Sequence, residues 1–77
     1  MSGERLLEPT AVRAVLVNGE PAQTAAATLA DLLAELGLVD ARVATAVNGA
    51  FVAARDREAT RLAAGDRVEI VSARQGG

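Results

Sequence analysis

The residues of this sequence that could do chemistry stand at its end. The chain runs Ala73-Arg74-Gln75-Gly76-Gly77 and stops after a strand-like segment. Glycine has no Cβ, so a Gly-Gly end can pass through a narrow opening and approach catalytic groups closely at any φ. The reactive group such an end presents is the α-carboxylate of Gly77. A carboxylate is a poor electrophile until it is activated, for example as an acyl-adenylate. ATP, Mg²⁺ and charge neutralisation would then have to come from another protein, because the chain carries no phosphate-binding loop and binds no cofactor of its own. Arg74, Gln75 and Gly76 lie just before the reacting position, where a partner could read them through charge and hydrogen bonds. The alternative reading is a solvated end with no role.

The rest of the inventory excludes other chemistries. There is no Cys, His, Trp or Tyr, and one Phe, in 77 residues. A zinc site would have to be built from carboxylates alone, so no metal is expected. No side chain has an unperturbed pKa near neutrality, which argues against general acid–base catalysis by this chain. The formal net charge of −2 has the wrong sign for phosphate-driven nucleic-acid binding, and no aromatic platform exists for stacking bases. No apolar run approaches the roughly 20 residues that span a bilayer. The absence of cysteine fits a reducing cytoplasm. The chain is expected to be acted on rather than to catalyse.

The elements that must hold such a tail can be read in order. Residues 1–11 lack periodicity and contain Pro9, and are expected to form a flexible N-terminal extension. Val12–Val17 is β-branched and runs into Asn18-Gly19, a tight-turn signal, with Pro21–Thr24 as a short return strand at a sheet edge. Leu29, Leu32, Leu33 and Leu36 recur at helical spacing behind Thr28 as N-cap, and the four are expected in the core. Gly37 and Leu38 suit a Schellman ending. Val43–Val47 leads to a second Asn-Gly, Asn48-Gly49, and then to Phe51-Val52. A turn or single helical turn is expected around Asp56–Glu58, with Leu62 in the core. Arg67–Ser72 alternates as a last strand, placed beside the first in the sheet interior.

This order predicts an α+β domain over residues 12–72, followed by a flexible tail over 73–77. One main helix packs on one face of a small mixed sheet, the arrangement of a β-grasp or ubiquitin-like fold. Val15, Val17, Val68 and Ile70 would face the helix. Leu16 and Val71 would then point to the opposite face and offer an apolar docking surface.

Four segments carry a more specific likeness: VLVNGEP (Val15–Pro21), TLADLLAELGL (Thr28–Leu38), VATAVNGAFV (Val43–Val52) and RLAAGDRVEIVSARQGG (Arg61–Gly77). Together they resemble the bacterial ThiS family, the sulfur carriers of thiamine biosynthesis. The resemblance implies a cycle. A ubiquitin-activating-like, ThiF-type adenylyltransferase adenylates Gly77, and a persulfide donor protein converts it to a thiocarboxylate. A ThiG-type thiazole synthase then takes the sulfur. Carriers for molybdopterin or other sulfur-containing metabolites share the Gly-Gly end, and fold-level analogy does not choose among them. A β-grasp binding module with an inert tail is the reading from a different class.

Overall fold

The computed structural model describes residues 12–39 and 41–72. The N-terminal extension and the tail that carries Arg74, Gln75, Gly76 and Gly77 lie outside the described residues. The elements are β1 (Arg13–Val17), β2 (Glu20–Thr24), α1 (Leu29–Glu35), β3 (Val43–Val47), β4 (Ala50–Val52), a 3-10 helix (Ala54–Ala59) and β5 (Arg67–Ser72). The five strands form one mixed sheet in the order β2-β1-β5-β3-β4. β5 is therefore central, parallel to β1 and antiparallel to β3. The ubiquitin-like α+β architecture expected from the sequence is the observed one.

Local chemistry explains each boundary. Asn18 and Gly19 have φ of 52° and 86°, and Asn48 and Gly49 have φ of 53° and 85°. Two successive positive φ values define the turn whose twist matches paired strands, and Asn and Gly enter that region at least cost. Pro21 sits on β2, whose outer side has no strand partner among the described residues, so its missing N–H is harmless. The Thr28 hydroxyl accepts a 3.1 Å hydrogen bond from the Asp31 backbone N–H, satisfying one of the donors exposed at a helix start. At the other end Gly37, at φ 77°, donates to Ala34 O, and Leu38 N donates to Leu33 O at 2.8 Å. Those two bonds are the pair that a Schellman ending requires.

The core is aliphatic and small. Leu29, Leu32, Ala26, Val52, Leu62 and Val68 form one buried cluster, with Val17, Val47 and Ile70 packed against it. Two threonines are buried and fully engaged. Thr45 donates to Val52 O at 2.8 Å and accepts from Arg57 Nε at 3.0 Å. Thr24 accepts from Ala26 N and donates to the Glu35 carboxylate. Each hydroxyl thereby avoids the penalty of a buried unpaired polar group.

The structure corrects the reading of the leucine stripe. Leu29, Leu32 and Leu33 are buried, but Leu36 is the C-cap residue and is 46% exposed. The helix is only seven residues long and ends at Glu35, so Leu36 falls just past its last residue. Val12 likewise precedes β1 and is exposed. The single turn expected near Asp56 is a six-residue 3-10 helix. It delivers Arg57 to β3, where the guanidinium also donates to Val43 O at 2.8 Å.

Candidate functional site

The candidate site is the end of β5 and the sheet face around it, since the Gly-Gly end, where the sequence reading expects the chemistry, follows this strand in sequence. Two sides hold β5. On one side β3 pairs with it along its length, from Val47 opposite Val68 to Val43 opposite Ser72. On the other, β1 registers Leu16 on Arg67 and Val17 on Val68, and then turns away at Asn18-Gly19.

Both turn asparagines reach back to β5. Asn18 N donates to Val68 O at 2.8 Å. The Asn18 side chain accepts from Ile70 N at 2.8 Å and donates to Ile70 O at 3.1 Å. Asn48 acts at the other end of the strand. Its backbone N donates to Arg67 O at 2.7 Å, its Oδ1 accepts from Arg67 N at 2.9 Å, and its Nδ2 donates to Asp66 Oδ1. The sequence reading treats these residues as turn formers alone and misses this second duty. The available signal is the choice of Asn at the first turn position, where Gly would meet the φ requirement but carry no side chain.

Alternation along β5 sorts its side chains. Val68 and Ile70 face the helix, while Arg67, Glu69 and Val71 face the opposite side. Val71 is 62% exposed. Beside it, Phe51 of β4 is 73% exposed, and the two line a shallow depression with Ala44, Ala46 and Glu69. Phe51 is the chain's only aromatic residue, and the sequence reading did not place it on this face. Register decides the matter. Thr45 is paired with Val52 and both point inward, so Ala46 and Phe51, the next pair, point outward.

Leu16 lies on the same outer face but half-buried, opposite Arg67. It is four residues along the strand direction from Val71, about 13 Å at strand rise. The structure brings Val71 together with Phe51 and leaves Leu16 at the far end of the face. A second concavity lies between α1 and the 3-10 helix, lined by Leu33, Val39, Arg55 and Arg57. Arg57 is committed to β3 there, and Glu58 is the acidic residue of the lining.

Among the described residues, no three His, Cys, Asp or Glu side chains gather as a metal site would require. No helix among them is long and apolar enough to cross a membrane. The described domain thus presents a central strand held from both sides, and an outer face with an apolar end.

Comparisons with known proteins agree with this architecture. No curated protein matches the chain. Among solved structures, it is similar to the thiamine biosynthesis protein ThiS from Geobacter metallireducens, with a TM-score of 0.70 and 29% identity. That match covers 83% of this chain and 99% of the other. The ThiS family model matches residues 15–77, from the middle of β1 through the Gly-Gly end. With all of the β-grasp sheet but the start of β1, the paired Asn-Gly turns and the terminal glycines inside that match, the chain belongs to the ThiS family.

Proposed function

We propose that this protein is a sulfur carrier whose Gly77 carboxylate is adenylated and then converted to a thiocarboxylate, supplying sulfur for thiazole formation. Membership of the ThiS family, the sulfur carriers of thiamine biosynthesis, is the observation that carries this reading. The inventory supports it, because a chain without Cys has no thiol on which to hold sulfur as a persulfide, which leaves carboxylate chemistry of the kind the Gly-Gly end presents. The protein is a cosubstrate: its partners perform the chemistry and it delivers the atom.

The steps follow from the carboxylate. A Gly77 oxygen attacks the α-phosphorus of ATP on a ThiF-type adenylyltransferase, and pyrophosphate leaves. The terminal sulfur of a persulfide donor attacks the resulting acyl carbon, and AMP leaves. A thiol reduces the S–S bond of that acyl persulfide, which frees the thiocarboxylate for a ThiG-type thiazole synthase. Arg74, Gln75 and Gly76 are the residues a partner would read on the way in. The cycle belongs in the cytoplasm, where ATP and reducing thiols are both present.

The docking surface in this reading is the outer sheet face, at Phe51 and Val71, with Leu16 at its far end. A large aromatic exposed beside an apolar depression is the kind of anchor that dominates interfaces. Phe51→Ala is expected to weaken binding to the adenylyltransferase by about tenfold or more in Kd. Its exposed position keeps the change in folding stability within about 0.5 kcal/mol. Titration calorimetry alongside thermal unfolding checks both, and unchanged affinity would remove Phe51 from the interface.

The direct test of the function is an intact-mass measurement. The protein is incubated with ATP, Mg²⁺, the adenylyltransferase and a sulfur source. Exchange of one oxygen for sulfur at the C-terminus is the expected result. An unmodified mass under conditions that load another ThiS protein would refute the reading. Rescue of a thiamine auxotroph separates this pathway from molybdopterin and other sulfur routes.

A further inference from the structure

We infer that the outer face of the sheet also takes a second copy of this chain, in a weak two-fold dimer centred on Arg67 and Glu69. The argument starts from the residues that alternation leaves on that face. Within the strands, the charged residues turned outward are Arg67 and Glu69, two positions apart on the central strand β5. Their neighbours are apolar: Leu16 lies opposite Arg67, and Ala46 and Ala44 lie opposite Glu69 and Val71. Among the described residues, neither the Arg67 guanidinium nor the Glu69 carboxylate has a hydrogen-bond or ionic partner. Arg67 is held through its backbone, by Asn48. One cation and one anion therefore stand exposed, about 7 Å apart, on a sheet face whose other strand positions are uncharged.

Such a pair is self-complementary under one symmetry. A two-fold axis that lies in the contact plane and crosses β5 at Val68 stacks the two central strands antiparallel. Each Arg67 then meets the other copy's Glu69, so one patch supplies both halves of two ion pairs. An axis along β5 would instead set Arg67 on Arg67 and Glu69 on Glu69, which like-charge repulsion opposes. The alanines on β3 keep the face flat, so long side chains can meet across the roughly 10 Å that separates stacked sheets.

Size sets the strength. Five strands at about 4.8 Å spacing, each of about five residues at 3.3 Å, cover roughly 400 Å² on each copy and about 800 Å² in all. Stable interfaces bury about 1,200 Å² or more, which places this contact among transient ones, with a dissociation constant of about 0.1 to 1 mM. On the carrier reading, the same face docks the adenylyltransferase, so the two partners compete and the monomer is the form presented for activation. That consequence rests on the carrier reading; the dimer itself does not.

The experiment is sedimentation equilibrium on the full-length parent, on Arg67→Glu, on Glu69→Arg, and on an equimolar mixture of the two variants. The parent is expected to dimerise in the range above, and more weakly as ionic strength rises. Each variant alone brings like charges together, and its dissociation constant is expected to rise at least about tenfold. The mixture sets an acidic centre against a basic one and is expected to associate at least as tightly as the parent. Both side chains are exposed, and thermal unfolding checks that each variant keeps the fold. Should a single variant fold poorly, the double variant Arg67→Glu/Glu69→Arg carries the test, because it exchanges the two charges and is expected to dimerise as the parent does.

A parent that stays monomeric through that range overturns the inference. So do single variants that dimerise as the parent does, or a mixture no tighter than its components. A monomeric parent that loses affinity for the adenylyltransferase on Arg67→Glu assigns the face to that enzyme alone, which overturns the dimer and leaves the carrier reading intact. A dimer that is never loaded with sulfur overturns the carrier reading and supports the dimer.

Discussion

Deleting Gly77 is expected to abolish sulfur loading while leaving the melting temperature of the domain unchanged. The truncated chain still ends in a glycine carboxylate, at Gly76, so the chemistry of the group is not what is lost. What changes is reach. One residue of extended chain is about 3.3–3.6 Å, as long as the separation at which reacting atoms must be held. A carboxylate short by that distance does not meet the α-phosphorus of a nucleotide fixed in the partner's site. Loading measured by intact mass is expected to fall by at least about 100-fold. The stability side follows from the core, since every residue of the buried cluster lies between Ala26 and Val68. Undiminished thiocarboxylate on the truncated protein would show that the terminal residue is not the reacting one.

Leu29→Ala is expected to unfold a large share of the molecules. Leu29 is 0% exposed and is the first residue of α1, at the point where the helix meets both the sheet and the chain before β5. Its backbone N–H donates to Thr60 O at 2.8 Å. Truncating a fully buried leucine costs about 2–5 kcal/mol, from lost transfer energy and from the cavity left behind. A domain of this length has a total stability of roughly 4–12 kcal/mol. Alanine is the better helix former, so the loss belongs to packing and not to the helix itself. A fall of at least about 10 °C in melting temperature is expected. Leu36→Ala is the comparison, because Leu36 has the same spacing in sequence but is 46% exposed, and its cost should stay below about 1 kcal/mol. Similar losses for the two would mean that the helix seats differently on the sheet.

These two results mark what could be read without coordinates. Both Asn-Gly turns, the Thr28 cap and the Gly37 ending were legible because each depends on neighbours within a few residues. A φ near +53° selects Asn, and a left-handed C′ position selects Gly, whatever surrounds them. The alternation of Arg67–Ser72 likewise assigned Val68 and Ile70 to the covered face. Leu36 was misread because helical spacing says which leucines share a stripe, not how far the stripe remains over the sheet. Phe51 was missed for a related reason. In a three-residue strand, either face is compatible with the pattern until the pairing of Thr45 with Val52 is known.

The sequence by itself determined the reactive candidate at Gly77, the order of elements and the turn at each hairpin, because these depend on residue chemistry and local dihedral preference. Only the tertiary structure decided what the turns do for the last strand. Asn18 and Ile70 are separated by 52 positions, and their hydrogen bonds exist because β5 inserts beside β1 and runs past its end. Such a long-range pairing is set by burial of the whole sheet face, a property of the packed molecule that no local stretch of sequence contains.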